Sequence, residues 1–215
     1  MYKTFYFLEA AGDPFRPDAA RVADASTPRA AGVTLTRALA EQIDPAARAT
    51  FAGALELWHF RAADALAHAE RGALETLLTP GARLAAVVTG LARTVMRTAD
   101  HYGSRGVKCV FPFQRKEGMS VEAFQRRWWH GHGPIAARTE NALFYLQTHP
   151  LPETYAIAAP RFDGVTELHW HDLATARAAM ASRQMREDQG NDAPHFARAG
   201  SVLMFAAREE TVREP

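Results

Sequence analysis

The segment 124–134, with the sequence FQRRWWHGHGP, holds the densest group of side chains that could do chemistry. Phe124, Trp128 and His132 follow one another at intervals of four residues, so they share one face of a helix. Gly133-Pro134 predicts that this helix ends near 131–134, which places His132 at its C-terminal end. The C-terminus of a helix favours a protonated imidazole, so we expect the pKa of His132 to rise towards neutrality. His132 is then either a general acid or base or a ring that caps the last carbonyls of the helix.

Two other segments contain candidate groups. His149 ends an apolar run beside a proline-rich loop, and proton transfer and capping both stay open for it. Period-two alternation places Glu167 and His169 on one face of a strand, inside a barrel or at its rim. A buried carboxylate must be paired or protonated, with Lys108 or His169 as the candidate partner. Glutamate recurs at Glu56 in a similar segment, which favours a structural salt bridge over a catalytic role.

The same residues argue against a metal centre. His130 and His132 lie about 200° apart on an ideal helix, so they cannot bind one ion together. The sequence has no His-Glu-x-x-His motif, no cysteine cluster, no glycine-rich phosphate loop and no Gly-x-Ser-x-Gly. A composite site of His132, His149 and a carboxylate stays open but has no support. We therefore predict neither a metal nor a cofactor.

The second half of the chain predicts the element order β-α-β-β-α-β of a ferredoxin-like unit. Ser120 and Asp172 stand at positions suited to capping the two helices. The predicted strands cover about 107–114, 142–149, 162–170 and 201–208, and the second helix covers about 173–182.

The first half repeats this order. Residues 53–60 (GALELWHF) resemble residues 164–171 (GVTELHWH), and each segment precedes an alanine-rich stretch. A strand near 3–7 opens this half, a short helix near 17–25 follows, and an apolar run closes it at 84–96. We predict an α+β fold of two tandem units, residues 1–102 and 107–215, joined by a linker at 103–106. Chance similarity between two ordinary strands is the alternative explanation of the repeat.

A ferredoxin-like unit carries helices on only one face of its sheet, so the other apolar face needs a cover. Two units in one chain can cover each other and close an intramolecular α/β barrel. We expect the barrel interior to hold a small ligand against Phe113, Trp128 and Tyr145.

Composition excludes several classes of partner. The 215 residues carry 25 basic and 24 acidic side chains, a formal net charge of +1, which gives no electrostatic footprint for nucleic acid or an anionic membrane. Cys109 is the single cysteine and lies in an apolar run, which predicts a buried thiol and a reducing compartment. The apolar N-terminal segment predicts a first strand rather than a signal peptide, and no run reaches the ~20 apolar residues of a membrane span. We expect a cytoplasmic bacterial protein.

The second half resembles the EthD family (ethyl tert-butyl ether degradation protein D). The resemblance rests on Phe124-x₃-Trp128-x₃-His132-Gly-Pro after Arg-Lys-x-Gly at 115–118, on Tyr145–His149, and on Asp-Gly-x-x-Glu-Leu at 163–168. It covers about 107–208 and implies the dimeric α+β barrel superfamily. In the first half, residues 25–32 replace the His-Gly-Pro segment, and residues 35–42 match the second strand with Gln42 at the place of His149. The first unit is thus interpreted as a degenerate copy that supplies a wall and a lid.

This resemblance implies a cofactor-independent enzyme acting on an apolar or aromatic metabolite by proton transfer, as in isomerases, cyclases, dehydratases or some monooxygenases. It implies His132 and His149 as catalytic residues. The predicted ligand-binding residues are Phe113, Trp128, Tyr145, Glu167 and His169. Some members of the wider superfamily bind haem, but no residue here argues specifically for it.

The alternatives are a non-catalytic ligand-binding protein, or an accessory protein of an oxygenase pathway, and a purely structural domain. The predicted partner is a small apolar or aromatic molecule, with no nucleic acid and no membrane. Further pairing of the chain with a second copy stays open.

Overall fold

A computed structural model describes residues 1–10, 30–69, 82–101 and 106–213. Its strands are β1 (Tyr2–Ala10), β2 (Gly32–Ala38), β3 (Gly53–His59), β4 (Ala82–Arg97), β5 (Val107–Phe113), β6 (Phe144–Pro150), β7 (Gly164–Trp170) and β8 (Phe205–Arg213). Its α-helices are α1 (Ala62–Leu66), α2 (Val121–Arg127), α3 (Gly133–Ala136), α4 (Thr154–Ile157), α5 (Leu173–Ala181) and α6 (Gly190–Asp192). Two π-helical segments, Trp128–His132 and Gln184–Gln189, and one 3₁₀ turn, Ala193–His195, complete the elements.

The strands form a closed antiparallel barrel in the order β1-β3-β2-β8-β5-β7-β6-β4. Each half contributes its strands in the same order, with the fourth beside the first, the first beside the third and the third beside the second. The two halves join where β2 pairs with β8 and where β4 pairs with β6. This arrangement confirms the predicted α+β barrel of ferredoxin-like order. The linker predicted at 103–106 lies almost wholly outside the described residues, as does the helix predicted near 17–25, so the domain boundary stays a prediction.

The register shows which positions of the two halves correspond. Glu56 lies between Phe5 of β1 and Thr34 of β2, and Glu167 lies between Val110 of β5 and Leu146 of β6. Thr34 and Leu146 are equivalent, because each pairs with the glutamate of its half. Three residues after them stand Arg37 and His149, so Arg37 occupies the position of His149. The expectation that Gln42 stands there is wrong, because β2 ends at Ala38 and Gln42 follows it.

The barrel interior is filled by side chains. Alternation along each strand sends every second residue inwards, and these residues form a phenylalanine-rich core with a cluster of charged groups. The buried phenylalanines of this core are Phe5, Phe7 and Phe205 from the strands, together with Phe51 and Phe162, which shortly precede β3 and β7.

Helix α2 begins as predicted, with the Ser120 hydroxyl accepting a hydrogen bond from the Ala123 amide at 3.2 Å. The predicted end near 131–134 is wrong, because the chain continues through the π-helical segment into α3. Pro134 falls in the first turn of α3, directly after the π-helical segment, so the helical stretch passes through it despite its missing N–H. His132 therefore lies within a continuous helical stretch rather than at its end.

The C-terminal part departs from the prediction at one segment. Asp172 caps α5 as expected, accepting from the Thr175 amide at 2.7 Å. No sequence pattern predicted the π-helical, α6 and 3₁₀ segments that follow over residues 184–195. The last strand consequently covers Phe205–Arg213, four residues later than its predicted start at 201.

Candidate functional site

A cavity of about 220 Å³ lies between the outer face of β5 and β7 and the helical segments that cover them. Most of its wall is apolar, and its polar side chains are His132, Thr166 and Gln189. The other lining residues are Phe111, Phe113, Trp128, Leu168, Met180, Met185, Gly190, Ala193, Phe196, Ala197 and Val202.

This location corrects the expectation that a ligand lies inside the barrel. Phe113 and Leu168 face outwards, away from the buried phenylalanines. The interior is occupied by those rings and by charged side chains, whereas the helices over the second sheet leave a gap. The cavity thus belongs to the space between sheet and helices.

His132 is the titratable side chain of the cavity wall. Its Nδ1 donates to Asp192 Oδ2 at 3.0 Å, and its ring centroid lies 4.7 Å from that of Phe196. Arg127 forms an ion pair with the other carboxylate oxygen of Asp192. A Cβ at residue 131 would overlap the Arg127 guanidinium, so Gly131 leaves room for this side chain to extend along the helix to Asp192.

The electrostatics of this pair differ from the prediction. Burial lowers the pKa of His132, and the hydrogen bond that His132 donates to Asp192 only partly opposes that shift, while Arg127 adds to it. The expected rise towards neutrality is therefore wrong, because the ring lies in a buried helical stretch rather than at an exposed helix end. Burial tends to raise the pKa of Asp192, but contacts with Arg127 and His132 lower it overall, so the carboxylate is ionised. Asp192 then fixes the proton of neutral His132 on Nδ1 and leaves Nε2 as an acceptor.

Aromatic rings give the cavity a rigid wall. Phe113 and Trp128 meet edge to face at 5.0 Å, and Phe124 stacks behind Trp128 at 5.5 Å. The four-residue spacing of Phe124, Trp128 and His132 thus brings all three to one side of the helical stretch, against Phe196. Gly164 leaves room for these rings, since a Cβ there would lie 2.8 Å from Phe113 and 2.9 Å from Trp128.

His149 and Tyr145 lie behind that wall. The His149 ring packs 4.5 Å from Trp128, and its Nε2 donates to Gln147 Oε1 at 2.9 Å. Burial, with a smaller effect of Arg93, lowers the pKa of His149 to about 3. Gln147 Nε2 donates to the Tyr145 hydroxyl at 2.5 Å. Neither His149 nor Tyr145 lines the cavity, so the structure does not bring the two predicted catalytic histidines together.

Glu167 and His169 lie on the opposite side of the sheet, in the barrel interior. Lys108 Nζ lies 2.5 Å from Glu167 Oε2, the partner expected from the sequence. His169 Nδ1 lies 3.4 Å from His101 Nε2, and burial lowers the pKa of His169 to about 4. The prediction that Glu167 and His169 bind the ligand is therefore wrong for a ligand in this cavity, because β7 separates them from it.

Glu167, His169 and Glu209 are the one group of three potential metal ligands in the described part of the chain, with donor atoms within 4.8 Å of one another. Lys108 Nζ already lies 2.5 Å from Glu167 and 2.7 Å from Glu209, so an ammonium fills the position between the carboxylates. The structure gives no composite site of His132 and His149, and the predicted absence of a metal stays a prediction. The described residues that line the cavity include no Lys or Arg to pair with the propionates of a haem, so they do not fit that group.

The sequence pointed to Phe113, Trp128 and His132 but missed the opposite wall. Asp192, Gln189 and Phe196 come from the irregular helical segments after α5. The polar sequence Gln-Gly-Asn-Asp-Ala-Pro at 189–194 has no apolar periodicity and is typical of a loop.

Residues 116–200 match the sequence model of the EthD domain family. This match lies wholly within the second half of the chain, the part whose motifs resemble that family. Its matched range includes the whole helical stretch with His132 and the segment with Asp192. No curated protein matches this sequence.

Solved structures share the fold. An anthrone oxidase-like protein is 13% identical, with a TM-score of 0.62 over 99% of this chain and 94% of that chain. A variant of chlorite dismutase from Candidatus Nitrospira defluvii is 11% identical, with a TM-score of 0.55 over 96% of this chain and 90% of that chain. An EthD family protein from Bacillus halodurans C-125 is 18% identical over 47% of this chain and 95% of its own, with a TM-score of 0.39.

At these identities the two full-length similarities show a shared α+β barrel fold and nothing more. No helix among the described residues is both long and apolar enough to cross a membrane. The cytoplasmic location stays a prediction.

Proposed function

We propose that the protein is a cofactor-independent enzyme that binds an apolar or aromatic metabolite in the cavity of the EthD domain and transfers a proton through His132. The observation that carries this proposal is the pair of His132 and Asp192 at the edge of an apolar cavity. Nδ1 is tethered to the carboxylate at 3.0 Å, and no described residue forms a hydrogen bond with Nε2.

The geometry suits a general base. Nε2 takes a proton from an acidic C–H or O–H of the ligand, and Asp192 stabilises the imidazolium that forms, as a carboxylate does in a hydrolase triad. The lowered pKa of His132 keeps the ring neutral and ready to accept at neutral pH. The apolar wall excludes water and strengthens the interaction between the two charges.

His149 has no place in this step. Its ring lies behind Trp128 and it does not line the cavity. We assign it the role of supporting the Trp128 ring, which forms part of the wall.

The test is proton exchange in D₂O. 2-Tetralone, a two-ring ketone whose enol form carries an O–H, is incubated with the full-length chain, and NMR follows the loss of its α-proton signals. General acid–base catalysis contributes about 10²–10⁴-fold, so His132→Gln is expected to slow enzyme-dependent exchange by that factor. Asp192→Asn is also expected to slow it, because the carboxylate no longer holds the proton on Nδ1 and no longer stabilises the imidazolium.

The matched control is His130→Gln. His130 is exposed and belongs to the same π-helical segment, so exchange should stay at the wild-type rate. Unchanged exchange in His132→Gln would overturn the proposal. Ligand binding without any enzyme-dependent exchange would favour the non-catalytic binding protein instead.

A further inference from the structure

The hydrogen-bonding polarity of the cavity follows from the pairs around Gln189. Gln184 Nε2 donates to the Ile135 carbonyl at 2.8 Å, which fixes that amide and turns its Oε1 towards Gln189. Gln189 Nε2 donates to this Oε1 at 2.9 Å and to Thr139 Oγ1 at 2.8 Å. Thr139 in turn donates to the Ala136 carbonyl at 2.7 Å, so it must accept from Gln189.

Both amide hydrogens of Gln189 are therefore used. An amide carries two donor hydrogens and one acceptor oxygen, so Gln189 has only Oε1 to offer a ligand. This orientation is set by a chain of bonds that ends on backbone carbonyls, which cannot exchange the roles of donor and acceptor.

His132 offers the same polarity. Its Nδ1 hydrogen is held by Asp192 at 3.0 Å, which leaves the Nε2 lone pair. The Thr166 hydroxyl, the third polar group of the wall, lies beside the Tyr145 hydroxyl and opposes the rise that burial causes in the pKa of Tyr145, as a donor to that oxygen does. Its one hydrogen is then used, and only its lone pairs are left. The polar groups left for a ligand are thus all acceptors.

The charge of the wall disfavours an anion. The described residues that line the cavity include no Lys, Arg, Asp or Glu. The nearest carboxylate is Asp192 behind His132, and the Arg127 guanidinium is paired to it. A carboxylate ligand would be buried without a cation, which is costly.

The volume limits the buried part of the ligand. A cavity of about 150 Å³ holds benzene, so about 220 Å³ holds one ring or two fused rings. The edge-to-face pair of Phe113 and Trp128 and the thioether of Met185 give such rings a suitable surface.

We propose that this cavity selects neutral phenols and enols of one or two rings, because its open polar groups accept hydrogen bonds and only a donating ligand satisfies them. This inference relies on the proposed function for the location of the site but not for the reaction. It names O–H donors as the substrate class and rejects aromatic ethers and aromatic acids of the same shape.

The test is calorimetric titration of the tag-free full-length chain at pH 7 with three ligands of one skeleton. We expect 2-naphthol to bind at one site per chain. We expect 2-methoxynaphthalene to bind at least about tenfold more weakly, because it leaves the acceptors unpaired. We expect 2-naphthoate to bind more weakly still.

Gln189→Met keeps the length of the side chain and removes the acceptor, so the preference for the phenol over its ether should fall several-fold. Circular dichroism checks that the variant folds, and His130→Gln should keep the wild-type preference. In wild type alone, equal binding of the phenol and its ether, tighter binding of the acid, or no binding of any of the three would overturn the inference.

The two proposals fail separately. Exchange of ketone α-protons that depends on His132, without a preference for phenols, would contradict only the substrate class. A clear preference for phenols, without any exchange, would contradict only the proposed proton transfer.

Discussion

The barrel interior and the cavity on its outer face both contain titratable side chains. Those in the interior are paired with several opposite charges, whereas the one in the cavity wall has a single partner. In the interior, Lys3 Nζ lies 2.6 Å from Glu56 and 2.7 Å from Glu167, and Lys108 Nζ lies 2.6 Å from Glu56 and 2.5 Å from Glu167. Glu209 adds a third carboxylate at 2.7 Å from Lys108. In the cavity, His132 has one tether and one open nitrogen.

The pKa shifts of Lys108 in the interior and His132 in the cavity wall differ in the same way. Burial alone would lower the pKa of Lys108, but Glu167, Glu209 and Glu56 more than reverse this and raise it well above the usual value. Burial of His132 is only partly opposed by its single carboxylate partner, so its pKa falls. Full pairing locks a charge in the interior, whereas partial pairing leaves a group in the cavity wall that can gain and lose a proton. We therefore regard the interior cluster as structural and the cavity as the site of chemistry.

Lys108→Met gives the largest expected effect on this comparison. It leaves Glu167 and Glu209 without their shared cation in a buried setting, so we expect a loss of about 3–5 kcal/mol in the free energy of unfolding. Urea denaturation measures the loss. If the folded fraction still binds 2-naphthol with wild-type affinity, the interior and the cavity are energetically separate.

The matched control is Arg183→Gln, which removes the exposed ion pair between Arg183 and Glu187. Exposed pairs contribute little, so no measurable change in stability is expected. A wild-type unfolding curve for Lys108→Met would show that the interior cluster is not a determinant of stability.

Gly164→Ala tests how tightly the cavity wall is packed. The added Cβ would lie 2.8 Å from Phe113 and 2.9 Å from Trp128, so both rings must shift. We expect a loss of about 1–3 kcal/mol of stability, typical of overpacking, together with weaker binding of 2-naphthol. Chemical denaturation and calorimetry measure the two effects.

Gly133→Ala is the control, because a Cβ there would make only ordinary contacts of 3.7–3.8 Å in a helix. It should leave stability unchanged or raise it by up to about 1 kcal/mol. Equal effects of the two substitutions would show that the rings beside Gly164 have room to move.

The difference between the barrel interior and the cavity also explains which features could be predicted from the sequence. The repeated glutamates Glu56 and Glu167 lie at corresponding positions in strands of clear period-two alternation, so a structural salt bridge in each half could be inferred. Lys108 was one of two candidate partners of Glu167, and its contact with Glu56 was not predicted. The barrel followed from the element order, because a sheet with helices on one face needs a cover on the other.

The cavity could be predicted only in part. The spacing of Phe124, Trp128 and His132 predicts a helix face. The π-helical turn after Arg127 cannot be predicted from the propensities of single residues. The helix was therefore expected to end at Pro134, and the inferred pKa shift of His132 had the wrong sign. Asp192 comes from a polar stretch far along the chain, and only tertiary packing brings it to His132.

The smallest predicted effect concerns His149, which lies between the two regions compared here. Burial lowers its folded pKa from the usual 6.5 to about 3, so the neutral ring is the folded form. Its stabilising contribution is complete above pH 6.5 and declines as the pH falls from there towards 3, because the unfolded chain takes up a proton that the folded chain excludes. From pH 7 to 5.5, this group should cost about 1 kcal/mol of stability.

Urea unfolding of wild type and His149→Gln across this pH range isolates the contribution, since all other titrating groups are common to both proteins. The gap in unfolding free energy should narrow by about 1 kcal/mol as the pH falls. The exposed His130→Gln should run parallel to wild type. A constant gap for His149→Gln would mean that the ring is protonated in the folded protein, and His149 would then be a second charged group behind Trp128 rather than an inert support of the wall.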